Sequence, residues 1–182
     1  MDIRLRPVTR EDIDDEYVGW YRNDDGHLDY FTGSGRTFDR DTLVQDFAAG
    51  LESGRWFYYL IETGEGEGER ERERERVGTL KIGPIDTRNK TADLVALVGN
   101  RKFLGQGLAT KAIALGNRLA FEKYDIRRLQ SGIFATNIPA IKAYTRAGWV
   151  VEATFSGFYL RDGEPVDRVC VACFNPRYFP AE

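Results

Sequence analysis

Histidine occurs once in this 182-residue chain, methionine once and cysteine twice. One histidine and two cysteines are too few for a self-contained Cys/His zinc site, so no metal is expected. No stretch approaches the ~18 apolar residues needed to cross a bilayer. The opening Met1-Asp2-Ile3-Arg4-Leu5-Arg6 lacks the charged-then-apolar order of a signal peptide. Excess positive charge is missing too. Lys and Arg number 26 against 29 Asp and Glu, a net charge of −3, which leaves no domain-wide nucleic-acid footprint. What is present is enough apolar content to build a core, which excludes collagen-like and disordered classes. The expectation is one cytoplasmic, soluble domain over residues 1–182, monomeric or homodimeric, with neither nucleic acid nor membrane as partner.

Ile3 to Val8 alternates apolar and basic residues and reads as a half-buried strand. Thr9 with Asp12 three residues later is a helix-start pattern, and the helix is expected to run to about Tyr21. Leu43, Phe47 and Leu51 mark a second helix from Asp39 to Leu51. Strands are expected at Trp56–Ile61, Val77–Ile82, Leu94–Val98 and Leu129–Phe134, and a final pair at Val150–Phe155 and Val166–Phe174 around Asp162-Gly163. Leu108, Ala112, Leu115 and Leu119 give an amphipathic helix from Gly107 to Lys123. Asn137 caps a further helix ending at Ala147, with Gly148 at its left-handed stop. Grouped strands followed by strand–helix alternation imply an α/β sandwich with a mixed sheet. The Glu-Arg alternation from Glu69 to Arg76 is expected to be a solvated hairpin extension, dispensable to the fold.

The informative stretch is Gly99-Asn100-Arg101-Lys102-Phe103-Leu104-Gly105-Gln106-Gly107-Leu108-Ala109-Thr110. A strand ends, a short basic loop follows, and a long helix begins. Unpartnered backbone N–H groups and the helix dipole make such a start an anion site suited to phosphate. Glycines let the backbone approach closely, although a tight strand–helix turn needs them equally. A P-loop is excluded because no Gly-Lys precedes Ser or Thr, and the dinucleotide fingerprint fits poorly.

Lys102-Phe103-Leu104-Gly105-Gln106-Gly107 resembles the Gln/Arg-x-x-Gly-x-Gly/Ala signature of the GNAT superfamily of acetyl-CoA-dependent N-acetyltransferases, with Lys102 in place of Gln or Arg. Downstream, the segment from Asn137 through Ala140 and Tyr144 to Gly148-Trp149 resembles the family's Asn-x-x-Ala-x-x-x-Tyr-x-x-x-Gly-Phe. Arg4-Leu5-Arg6-Pro7, Trp20-Tyr21-Arg22-Asn23-Asp24 and the late Glu152, Asp162-Gly163 and Val166-Asp167 are most similar to the branch holding ribosomal-protein N-terminal and amino-sugar acetyltransferases. The resemblance implies a mostly antiparallel sheet of about seven strands with about four helices. It also implies acetyl-CoA as cosubstrate and acetyl transfer to a primary amine. A small molecule such as an amino sugar is the leading acceptor. A protein N-terminus and a non-catalytic acyl-CoA-binding module are the alternatives.

The same resemblance assigns candidate residues. Backbone amides around Leu97, Val98 and Gly99 are implied to hold the pantetheine arm and the thioester carbonyl. Lys102, Phe103, Leu104, Gly105, Gln106, Gly107, Leu108, Ala109 and Thr110 are implied to hold the pyrophosphate. Asn137, Ala140 and Lys142 complete the cosubstrate site. Tyr144 matches the family's tyrosine and is the candidate general acid toward the departing thiolate, with simple ring packing as the other reading. Asp93 matches the acidic position that serves as base in some members, against an exposed strand-start residue. His27 has a suitable pKa for base work but sits alone in a loop. Cys170 and Cys173 fall on opposite strand faces and read as structural thiols. Trp20, Tyr30, Phe31 and Tyr159 line either a substrate cleft or the core.

Overall fold

The computed structural model describes residues 1–22, 28–29, 38–64 and 74–180. His27, Tyr30 and Phe31 lie outside these, as do residues 65–73 of the Gly/Glu/Arg-rich stretch. The strands are β1 (Asp2–Pro7), β2 (Phe57–Gly64), β3 (Glu75–Ile82), β4 (Thr91–Val98), β5 (Arg128–Phe134), β6 (Val150–Arg161) and β7 (Glu164–Phe174). The helices are α1 (Asp15–Gly19), α2 (Arg40–Glu52), α3 (Leu108–Lys123) and α4 (Ile138–Arg146). The strands form one seven-stranded sheet in the order β1-β2-β3-β4-β5-β7-β6. Only the β4–β5 pair is parallel; the others are antiparallel. The expected mixed, mostly antiparallel sheet with four helices is therefore the architecture found. Among the described residues no helix is long and apolar enough to cross a membrane.

Two apolar layers cover the sheet. On one face α3 and α4 pack over Ile61, Leu80, Leu94, Leu129 and Ile133. On the other, α1 and α2 pack over Leu60 with Val18, Trp20, Leu43 and Phe47. Both sides of β2 are covered, so Tyr59, Leu60 and Ile61 are all buried. That is why this strand reads as a continuous apolar run rather than an alternation.

Three expectations are corrected. The helix from Thr9 to Tyr21 is broken into a 3-10 turn at Arg10–Asp12 and the short α1. The Thr9–Asp12 capping box does form, but Asp12 is also gripped by Arg6 at 2.7 and 2.9 Å. Asp14 then caps afresh, its carboxylate accepting from the Tyr17 amide. A tertiary ion pair thus outcompetes helical continuity. On α3 the buried stripe is Leu108, Ala112, Ile113, Gly116 and Ala120, with Leu115 and Leu119 only half-buried. Small residues let the helix approach: a Cβ on Gly116 would lie 2.8 Å from Leu80 and Leu94 methyls. On α2, likewise, Leu43 and Phe47 are buried but Leu51 is exposed.

The third correction concerns the end of the Glu-Arg alternation. Glu75 and Arg76 belong to β3, paired with Thr63 and Glu62. The Arg76 guanidinium reaches Asp14 at 2.8 Å and Asp12 at 3.3 Å. This end of the run belongs to the sheet and braces the start of α1, rather than forming part of a solvated extension.

Candidate active site

β4 and β5 pair only at Thr91–Arg128, Ala92–Leu129 and Asp93–Gln130. Beyond Asp93 the strands part, while β4 keeps an unshifted register with β3 up to Val98. The gap therefore opens without a bulge in β4. Tyr144, buried on α4, stands where the strands diverge, its hydroxyl donating to the Leu94 carbonyl at 2.9 Å. Its ring meets Trp149 edge-on, 4.8 Å between centroids.

The gap opens a cavity of about 390 Å³ that passes through the sheet. Strand alternation sorts its walls. Ala96 packs with the α3/α4 core and Leu97 with the α1/α2 core, so Asp93, Val95 and Leu97 face the α1/α2 side. Asn137, Ala140 and Tyr144 line the cavity from the α4 side. Tyr159, Arg168 and Gly132 line it toward the side of Asp93. The cavity is thus lined from both faces of the sheet.

A second groove of about 550 Å³ adjoins at Ala140. It is lined by Val98, Leu104, Gly105, Gly107, Leu108, Ala109 and Thr110, and by Lys142 and Arg146 from α4. Gly105 and Gly107 have φ of +73° and +75°, and a Cβ on either would meet nothing within 4 Å. Their requirement is conformational, a left-handed backbone at the mouth of α3. The amides of Leu108, Ala109 and Thr110 head the helix and lack intrahelical partners. Lys142 and Arg146 stand one turn apart and ion-pair with none of the described residues. Arg146 was missed in the sequence, where a basic i, i+4 pair facing the loop was the available signal.

The other expected cosubstrate residues make the following contacts within the chain. The Gly99 amide donates to the Val77 carbonyl at 3.0 Å, so it serves the sheet. By alternation the Leu97 amide also points to β3, leaving Val98 to face the gap. Gly99 matters through its missing side chain: a Cβ would lie 2.2 Å from the Trp20 ring. Lys102 Nζ pairs with Glu75 at 2.6 Å. Phe103 is buried in the core beneath the loop, and Gln106 donates to the Lys102 carbonyl at 2.7 Å. Asn137 caps α4 by accepting from the Ala140 amide at 3.1 Å.

Burial pushes the Asp93 carboxyl above the usual range, against a hydrogen bond from Gln130 and the nearby charge of Arg168. Burial likewise pushes Tyr144 up to about 12, so its hydroxyl stays protonated. Cys170 and Cys173 are both free thiols, Cys173 buried and pushed up to about 11. Of the aromatic candidates, Trp20 is core and Tyr159 stacks on Phe134 at 4.3 Å against the cavity. A register shift over Phe155–Tyr159 re-aims that part of β6, anchored by the Gly157 amide on Asp167 at 2.8 Å. Arg168 escaped sequence reading; its signal was a lone cation within the apolar run Val166 to Phe174.

A parallel pair that splays over a through-sheet cavity, next to a glycine-headed helix, defines a CoA-dependent acyltransferase fold. Residues 2–150 match the acetyltransferase (GNAT) domain family, and the chain belongs to it. It is an N-acetyltransferase that uses acetyl-CoA. Among solved structures, spermidine N-acetyltransferase from Vibrio cholerae in complex with CoA and spermine is 15% identical. The match covers 97% of this chain and 98% of that one, with a TM-score of 0.82. A chimera of the Vibrio cholerae enzyme SpeG and hSSAT is 14% identical, with both chains covered in full and a TM-score of 0.81. The Vibrio cholerae enzyme with manganese ions is 15% identical over 97% of this chain and 95% of that one, at a TM-score of 0.75. No curated protein sequence matches the chain significantly.

Proposed function

We propose that this chain transfers the acetyl group of acetyl-CoA to the primary amine of a small molecule, by direct attack within a ternary complex. The cavity through the sheet carries this reading. It lets a cosubstrate lying between α3 and α4 meet an acceptor arriving from the α1/α2 side. The α3 amides, Gly105, Gly107, Lys142 and Arg146 suit the phosphates. The Val98 amide suits the pantetheine arm or the thioester oxygen, where a donor stabilises developing negative charge. Asp93 is the proton acceptor, directly or through water, for an amine that is mostly ammonium at neutral pH. Its raised pKa makes it a better base than an exposed carboxylate. Tyr144, protonated and beside the gap, exchanges its bond to the Leu94 carbonyl for one to the thiolate as sulfur leaves.

The amino-sugar acceptor rests on branch resemblance alone, since the similar solved structures are of polyamine enzymes. A protein N-terminus is the second reading, distinguished by turnover of peptides. The test is a panel of amines, including spermidine, glucosamine, amino acids and short peptides, with release of CoA thiol and product mass as readouts. Turnover of at least one small amine, with little from peptides, is expected. Acetyl-CoA binding without turnover of any amine would return the chain to a binding module.

A further inference from the structure

The described residues lining the through-sheet cavity include two charged side chains, Asp93 and Arg168. Arg168 lies on β7 directly opposite Phe134 of β5. Its Nε is buried and has no hydrogen-bond partner. No carboxylate among the described residues forms an ion pair with it, and the charge of Asp93 is felt only across space. The position is nonetheless built. A Cβ on Gly132 would lie 2.2 Å from Nε and 2.6 Å from Cζ, so the guanidinium occupies the space this glycine leaves. On another side Cζ stands 4.8 Å from the centre of the Phe158 ring. A ring face attracts the cation but offers its N–H groups no lone pair in the guanidinium plane. The Gly157–Asp167 bond holds the bulge that carries Phe158.

With the Nε edge buried against Gly132, the rest of the guanidinium is left to line the cavity, and a planar fork of donors that no carboxylate of the described residues pairs with matches a carboxylate. Building on the acetyl-transfer reading above, we infer that Arg168 docks a carboxylate carried by the acceptor, which makes the substrate a zwitterionic, amino-acid-like amine. Asp93 faces the ammonium end and Arg168 the carboxylate end. A polyamine would instead bring further positive charge beside a guanidinium that no carboxylate of the described residues pairs with, where like charges repel. The acceptor thus differs in class from the spermine bound in the structurally similar Vibrio cholerae enzyme.

The experiment compares kcat/KM for a set of amino acids, including glycine, β-alanine and 4-aminobutanoate, with their carboxamides and with spermidine. The carboxamides keep the shape and remove the charge. Carboxylates should be preferred by roughly 10- to 100-fold, the range for hydrogen bonds to a charged group. Arg168→Gln should collapse that ratio to near one, and Arg168→Lys should leave it intermediate. Gly132→Ala, which displaces the guanidinium, should reduce it in the same direction. Melting curves and acetyl-CoA affinity establish that each variant is folded; if Arg168→Gln is not, the wild-type ratio and the lysine variant decide. Equal turnover of carboxamides, preference for spermidine, or an unchanged ratio in a folded Arg168→Gln overturns the inference while leaving acetyl transfer to small amines standing. No turnover of any amine overturns both.

Discussion

The Tyr144 hydroxyl donates to the Leu94 carbonyl, 2.9 Å away, at the point where β4 and β5 part. One bond therefore links α4 to the edge of the gap and places a neutral O–H inside it. With its pKa pushed up to about 12 by burial, the hydroxyl is a poor source of a fully transferred proton. Its contribution, once the O–H turns from Leu94 to the sulfur, is a hydrogen bond that strengthens as charge gathers there. Tyr144→Phe keeps the ring and its contact with Trp149. We expect kcat to fall about 100-fold with acetyl-CoA affinity little changed. The lost hydrogen bond should cost about 1 kcal/mol in denaturant titrations. Wild-type kcat under conditions where chemistry limits the rate would remove the hydroxyl from the mechanism.

Asp93 gives a prediction in which activity and stability move oppositely. Its carboxyl holds a proton more tightly in the folded chain than in the unfolded one. Stability is therefore lost as pH rises through the folded pKa, and the ionised group weakens the fold at neutral pH. Asp93→Asn should melt at or above the wild-type temperature. It should lose roughly 100- to 1,000-fold in kcat/KM and the acidic limb of the pH–rate profile. A profile with its acidic limb unchanged would mean that another group is the base.

Gly107 and Gly148 separate conformational cost from binding. Both have positive φ, +75° and +89°, and at both an added Cβ meets nothing within 4 Å. Valine at either position should cost about 1–2 kcal/mol for the left-handed backbone. Only Gly107 borders the groove of α3. Gly107→Val should weaken acetyl-CoA binding by roughly 10- to 100-fold in calorimetry, whereas Gly148→Val should not. Equal affinities for the two variants would place the pyrophosphate elsewhere.

The ion-pair cluster beneath α1 predicts a specific acid sensitivity. Burial alone would raise Asp12, but hydrogen bonds from Arg6 and the Thr9 amide hold it down at about 2. A depressed carboxyl stabilises the fold above its unfolded pKa, and that stabilisation disappears as pH falls through the folded value. About 2 kcal/mol should therefore be lost between about pH 4 and pH 2. Urea titrations across that window should show a smaller slope in Asp12→Asn. Arg76→Ala, which removes the 2.8 Å contact to Asp14, should lower stability at neutral pH by about 1 kcal/mol. An unchanged midpoint in that variant would show that this end of β3 is dispensable after all.

Periodicity and cap chemistry alone determined most of the element list. Asn137, Gly148, Asp162-Gly163 and the glycines before α3 act locally, through backbone angles and hydrogen bonds within a few residues, so their spacing announces them. The α3 loop was legible for the same reason. Only the tertiary structure decided what depends on partners distant in the chain. Arg6 diverts Asp12 from a continuing helix, and Arg76 joins it from β3. Gly116 brings α3 onto Leu80 and Leu94. Gly99 yields to Trp20, and its amide is spent on Val77. Above all, the meeting of Asp93, Tyr144, Gly132 and Arg168 needs β4 and β5 to part and β7 to insert beside β5. No local pattern encodes that meeting, because its energetics lie in burial and charge across elements that become neighbours only once the sheet has formed.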